Sequence, residues 1–282
     1  MKNITVIFLL LFSIPTAGQT ITWDGGAGTT NWFDQNNWDT NTLPCSICDV
    51  VISGNIVVFS TQTVTVRSVR VSNSGVLSIT SGQINVDGGF NSSYENGLAV
   101  SGGGSVYNFG TLNISNITNS GVSVLSSSSL ENSGLLMVNS GLNNGIINAG
   151  YFKNLLGGEV VIATISNFAG YYNTGTLINE GDLSISQILG LSSSGLKNSG
   201  LLQNTSSGLI EVFNVLSNGI YNDDILLNYG TCSVQNVNES APLLTANGIY
   251  NLDTLINYND ITIGDIEGYG IKTSLGSITI NN

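Results

Sequence analysis

The sequence predicts an all-β fold, a single-stranded parallel β-helix of about 24–25 residues per coil with an N-terminal cap. Three observations carry that reading. The 282 residues include 35 Gly but only 3 Pro, and 41% are hydrophobic, a balance that suits strands joined by tight turns. A glycine-led motif recurs at a nearly fixed period. Within each copy apolar and polar residues alternate with period two, the strand period.

The repeat is clearest at Gly145-Ile146-Ile147-Asn148, Gly170-Tyr171-Tyr172-Asn173, Gly195-Leu196-Lys197-Asn198, Gly219-Ile220-Tyr221-Asn222 and Gly248-Ile249-Tyr250-Asn251, with steps of 25, 25, 24 and 29 residues. A second Asn follows each first one at a spacing of six: Asn154, Asn179, Asn204, Asn228 and Asn257. Weaker copies begin near Ser105 and Ser129. Aligning their Asn108 and Asn132 with the first Asn column leaves 16 residues to Asn148, too few for a coil. Phe152, Leu177, Leu202, Leu226 and Leu255 share one core column, Leu183, Cys232 and Ile261 a second, and Ile185, Val234 and Ile263 a third. Lys153, Gln203, Ser184 and Thr262 fall between them and point outward. A unit with three strands of three to five residues cannot bury its apolar face alone. It stacks on its neighbours, and each coil adds one strand to each of three parallel sheets. The Asn columns fit turns, where Asn tolerates the left-handed conformation, and their amides are expected to form ladders from coil to coil. Cys232 then serves as a small buried hydrophobe.

The remaining segments follow in order. Residues 1–18 read as a signal peptide: Lys2, a short apolar run from Ile4 to Ile14, then small residues before Gln19. Its removal leaves 18 acidic and five basic residues, a net charge of −13. No other segment is apolar enough to span a membrane. Residues 19–49 hold all three tryptophans, Trp23, Trp32 and Trp38. This segment suits a cap over the first coil; an aromatic sugar platform is the rival reading. Cys45 and Cys48 form a C-x-x-C without a βαβ context, which favours a local disulfide in an exported loop. Residues 50–282 form the solenoid. From Val50 to about Gly103 the coils are shorter and less regular. Residues 270–282 read as an incomplete coil of a truncated chain, whose open edges invite self-association.

Composition excludes several functions. Without histidine there is no Ser-His-Asp or Cys-His nucleophile and no His-ligated metal. Six cations against 18 acids cannot neutralise a nucleic-acid backbone. Polysaccharide cleavage needs carboxylates in a cleft. The available ones are Asp223, Asp224, Asp253, Asp260, Asp265 and Glu267. Asp224 and Asp253 replace Gly175 and Gly200 in a turn column, where Asp serves as a turn residue; a calcium site is the weaker alternative and catalysis the weakest. No cofactor is otherwise expected. Two outward columns are candidate contact stripes: Tyr172, Tyr221 and Tyr250, interrupted by Lys197, and Ile178, Leu227 and Ile256, interrupted by Gln203. The alternative is that such residues only stabilise their strands.

The amino-terminal pattern, Trp23-Asp24-Gly25, Asn31-Trp32, Asn37-Trp38, Pro44 and Asp49-Val50-Val51-Ile52, followed by Gly/Asn-rich repeats, resembles large exported bacterial β-helix proteins of the adhesin and autotransporter-passenger type. The resemblance implies secretion or surface display and a non-enzymatic, adhesive or structural role, with a cell-surface glycan or protein as partner. A carbohydrate-active β-helix acting on extracellular polysaccharide is the runner-up.

Overall fold

The computed structural model describes residues 18–88, 96–141, 143–191, 193–238, 245–274 and 278–281. The expected signal peptide lies outside these, apart from Gly18. The chain winds as a β-solenoid of three parallel sheets. Sheet A has 11 strands, from Thr20–Thr22 to Tyr269–Thr273. Sheet B has 10, from Ile56–Phe59 to Ile278–Asn281, and sheet C has nine, from Thr63–Val66 to Ile261–Ile266. Each coil visits A, B and C in turn. A single 3₁₀ turn at Gln35–Asn37 is the only helical element among the described residues.

The core is built from stacked columns, as the alternation requires. Phe152, Leu177, Leu202, Leu226 and Leu255 pair in register on sheet B and are buried. Leu183, Ile210 and Cys232 do the same on sheet C, beside Ile185, Val212 and Val234, and the two columns end in the half-buried Ile261 and Ile263. The repeat's leading glycine has a steric cause. A Cβ on Gly170 would overlap both Ile185 Cγ2 and the carbonyl oxygen of Gly195, so sheets A and C close on each other only without a side chain there.

Two asparagine ladders run along the solenoid. At the end of the sheet A strands, Asn148, Asn173, Asn198, Asn222 and Asn251 form a chain in which each Nδ2 donates to the next coil's Oδ1 at 2.7–2.8 Å. At the end of the sheet B strands the chain runs Asn108, Asn132, Asn154, Asn179, Asn204, Asn228 and Asn257, at 2.7–3.0 Å. Each amide also donates to backbone carbonyls; Asn173 Nδ2 reaches Gly175 O and Leu201 O.

Two expectations are corrected here. Asn108 and Asn132 belong to the sheet B ladder, since Asn132 pairs with Asn154 and not with Asn148. The sheet A column holds Val71, Val100 and Val124 in those coils, so no coil is short of residues. Nor do the ladder asparagines adopt left-handed backbone. Positive φ falls instead on a column within the sheet C strands: Asn116, Thr164, Gln187, Asn214, Asn236 and Asp265, with φ from 52° to 59°. This column bends the strand and returns Ile117, Ile165, Ile188, Val215 and Val237 to the core.

Sheet A begins within the Trp-rich segment, where Thr20–Thr22 pairs with Asp49–Ser53. Backbone bonds from Trp32 N to Val58 O and from Val58 N to Thr30 O join the same segment to sheet B. Trp23 and Trp32 each meet Trp38 edge-to-face at 4.9 Å, and Trp32 meets Phe59 at 5.5 Å. All three indoles are buried. At the start of the second sheet A strand, Asp49 is fully buried, forms a bidentate pair with Arg67 and also accepts from Ser68 Oγ. The hydrogen bond to Asp49 holds the guanidinium pKa above its ordinary value. At the other end, Tyr269 and Ile271 on the last sheet A strand are about half exposed.

Candidate contact surface

The outward column of sheet A reads, coil by coil, Arg70, Ala99, Ser123, Ile147, Tyr172, Lys197, Tyr221, Tyr250 and Lys272. The three tyrosines singled out from sequence share this column and are half-buried. Their rings are not stacked face to face. Tyr221 and Tyr250 meet edge-to-face at 5.5 Å, and Tyr172 is separated from Tyr221 by Lys197. Lys197 Nζ lies 4.8 Å from the Tyr172 ring centre and 5.5 Å from that of Tyr221. Lys272 Nζ lies 4.9 Å from the Tyr250 ring centre and 5.6 Å from that of Tyr269. These are cation–π distances. Among the described residues neither lysine forms an ion pair. Lys153, by contrast, is committed to Glu180 at 2.7 Å, and that hydrogen bond raises its pKa. Burial, with Asp223 and Tyr250 adding to it, raises the Tyr221 phenol and keeps it neutral.

Ile178, Leu227 and Ile256 also point outward and are half-buried, but on sheet B, with Gln203 between Ile178 and Leu227. The two sets are thus separate stripes on different sheets. Among the described residues the sheet B stripe carries no ring–cation pair.

Asp224 and Asp253 occupy successive coils of the A-to-B turn, where Thr254 N donates to Asp224 O at 3.2 Å. Their carbonyls close the ladder, accepting from Asn222 Nδ2 and Asn251 Nδ2 at 2.8 and 2.7 Å. The Asp253 carboxylate accepts from Thr254 Oγ1. Among the described residues no group of three or more His, Cys, Asp or Glu side chains comes together. Cys45 and Cys48 form a disulfide, with Cα atoms 5.0 Å apart. Cys232 is buried, and burial pushes its thiol up to about 12.

One feature of this surface escaped the sequence reading. At the start of the sheet A strands a column runs Ser120, Asn144, Ala169, Ser194, Asn218 and Asn247. Ala169 and Ser194 are small where the flanking coils carry amides. The missing volume opens a depression of about 280 Å³ beside the tyrosine stripe. Ile147, Tyr172 and Lys197 line it together with Phe168, which is 60% exposed. Just before this column a third run of amides, Asn96, Asn119, Asn143 and Asn167, links coil to coil at 2.9–3.2 Å and stops at Asn167. Their spacings of 23, 24 and 24 residues were the available signal.

No protein-family model matches the chain, and no curated protein or solved structure matches it significantly.

Proposed function

We propose that the protein is an exported, non-enzymatic β-solenoid with an adhesive role at the cell surface, and that it presents the outward face of sheet A to an extracellular glycan. The observation that carries this reading is one column that intersperses tyrosine rings with ammonium groups that form no ion pair among the described residues, Tyr172, Lys197, Tyr221, Tyr250 and Lys272. Aromatic faces receive the C–H face of a sugar ring, and an ammonium with free donors receives its oxygens. A solenoid repeats such groups at the strand spacing of about 4.8 Å, which suits a chain ligand. Export is supported by the character of residues 1–18 and by a disulfide of the kind that persists in oxidising compartments. The Trp-rich segment, packed on the first strands of sheets A and B, acts in this reading as the cover of the amino-terminal coil.

The test is adhesion of the purified protein to a panel of immobilised glycans, compared with the double variant Tyr221→Ala/Tyr250→Ala. Retained fold with adhesion reduced at least tenfold is expected. Unchanged adhesion would remove the stripe from the function. Release of reducing sugar from any bound glycan would replace the non-enzymatic reading.

A further inference from the structure

We infer that the depression lined by Ala169 and Ser194 is a subsite for an acidic sugar residue, a uronate or its sulfated equivalent, within the glycan-binding face proposed above. The inference rests on that reading and adds to it a place and a ligand class.

The depression is a local departure from the repeat. Asn144, Asn218 and Asn247 show that this column accommodates an amide; at Ala169 and Ser194 the side chain is cut back in two adjacent coils. What remains has the parts a sugar site needs: concave apolar walls and few polar groups. Phe168 stands out from the C-to-A turn at 60% exposure, and Tyr172 faces the same space from the strand. Ser194, with its hydroxyl, and Asn144, with its amide, also line the depression; Asn144 Oδ1 already accepts from Ala169 N at 3.2 Å. Lys197 is the one charged residue of the lining.

The charge decides the ligand class. The chain carries 18 acidic residues and six basic ones, so its mean field repels anions. Arg67 and Lys153 are neutralised by Asp49 and Glu180. Lys197 is not: its ammonium sits between the Tyr172 and Tyr221 rings and keeps donors for an incoming group. An ammonium held against two rings at the mouth of an apolar depression favours a ligand with one negative charge on an otherwise uncharged ring. A bare anion gains nothing from Phe168, and a neutral sugar gains less from Lys197 than one bearing a carboxylate or sulfate.

The test uses the purified full protein, isothermal titration calorimetry, and two probes sharing a skeleton: trigalacturonate and its methyl ester. The acid is expected to bind at least tenfold more tightly than the ester and to weaken as salt rises from about 20 to 200 mM. Two variants locate the site. Lys197→Met removes the charge, and Ala169→Asn refills the depression with the side chain the column carries elsewhere. Each is expected to lose tenfold or more for the acid with an unchanged thermal midpoint. Equal affinity for acid and ester would overturn the ligand class. Acid binding indifferent to both variants would overturn the location. If that binding falls instead with Tyr221→Ala/Tyr250→Ala, the adhesive face stands and only the subsite fails. No binding of either probe overturns the subsite, and the glycan-panel comparison then decides the wider reading separately. A change in sedimentation coefficient for Ala169→Asn without loss of saccharide would reassign the depression to contact between copies.

Discussion

At the last inward position of the sheet A strands, the early coils carry Ile52, Val71, Val100 and Val124, and the later coils carry Asn148, Asn173, Asn198, Asn222 and Asn251. Sheet B makes the same change two coils earlier, from Phe59 and Ile79 to Asn108 and the amides after it. One backbone position is thus filled in two ways. The apolar version is local: each side chain is stabilised by its own burial, roughly 25 cal/mol per Å². The amide version is collective, because each Asn supplies the acceptor its neighbour needs. The two ladder starts show the consequence. Asn148 Oδ1 has Val124 and not an amide below it, and takes Gly150 N at 3.2 Å instead. Asn108 Oδ1 is buried with no partner among the described residues. A ladder can begin at modest cost, but a gap within it orphans groups on both sides.

The largest expected effect follows from breaking the ladder in its interior. Asn173→Ala removes the acceptor of Asn148 Nδ2 and the donor to Asn198 Oδ1. At about 1–3 kcal/mol for each buried group left unpaired, a loss of about 2–4 kcal/mol is expected in denaturant unfolding. Outward Ser184→Ala should change stability by under about 0.5 kcal/mol. Equal midpoint shifts for the two would mean that the amides act as spacers rather than as a bonded chain.

A matched pair of insertions sharpens the comparison. Val100→Asn places an isolated amide between Val71 and Val124 and should cost about 2–3 kcal/mol. Val124→Asn lies directly below Asn148 and can donate to its Oδ1, lengthening the ladder by one step. It should cost under about 1 kcal/mol. If the two variants unfold at the same denaturant concentration, neighbour identity is irrelevant and the collective account fails.

The columns themselves were legible in the sequence because period-two alternation and a near-constant coil length project directly onto register. Three things were not. Asn108 and Asn132 look alike to either ladder, and only pairing with Asn154 assigns them. The left-handed column in sheet C is occupied by Asn, Thr, Gln and Asp, so no single residue type marks it. The depression is a deletion of volume at Ala169 and Ser194, and small residues in a Ser- and Gly-rich chain carry no visible signal. The tyrosine stripe was legible as a column, but its pairing with Lys197 and Lys272 needed side-chain positions.

The apolar columns have their own weakness, which is charge. Cys232 sits between Ile210 and Ile261 and is buried, with its thiol pushed up to about 12. A pKa raised on folding gives stability that is fully present below the unfolded value, about 8.5, and is lost as pH rises towards the folded one. Cys232→Val keeps the column apolar and removes the titration. The two proteins should have similar stability at pH 7, and by pH 10 the variant should gain about 1–2 kcal/mol relative to the native chain. A constant difference across that range would show that the thiol is not held protonated by the column.

The smallest expected effect concerns strain rather than pairing. Thr164 has φ of 59° in the sheet C column that also holds Asn116, Asn214 and Asn236. A β-branched residue is poorly suited to that region, where Asn is tolerated and most other L-residues cost about 1–2 kcal/mol. The position cannot relax, because Ile162 and Ile165 on either side are both buried and the bend is what turns them inward together. Thr164 Oγ1 donates to Gln187 Oε1 at 2.9 Å, but the pair is exposed and water replaces it readily. Thr164→Asn is therefore expected to stabilise by about 0.5–1 kcal/mol, and Thr164→Val, which keeps the branch and loses the hydroxyl, to stabilise not at all. The two are read as denaturant midpoints at constant slope. If Val and Asn shift the midpoint alike, the hydroxyl and not the backbone governs this site. If Asn destabilises, the Thr164–Gln187 bond is a working rung of its own, and the collective behaviour assigned to the buried amides extends to the outer surface.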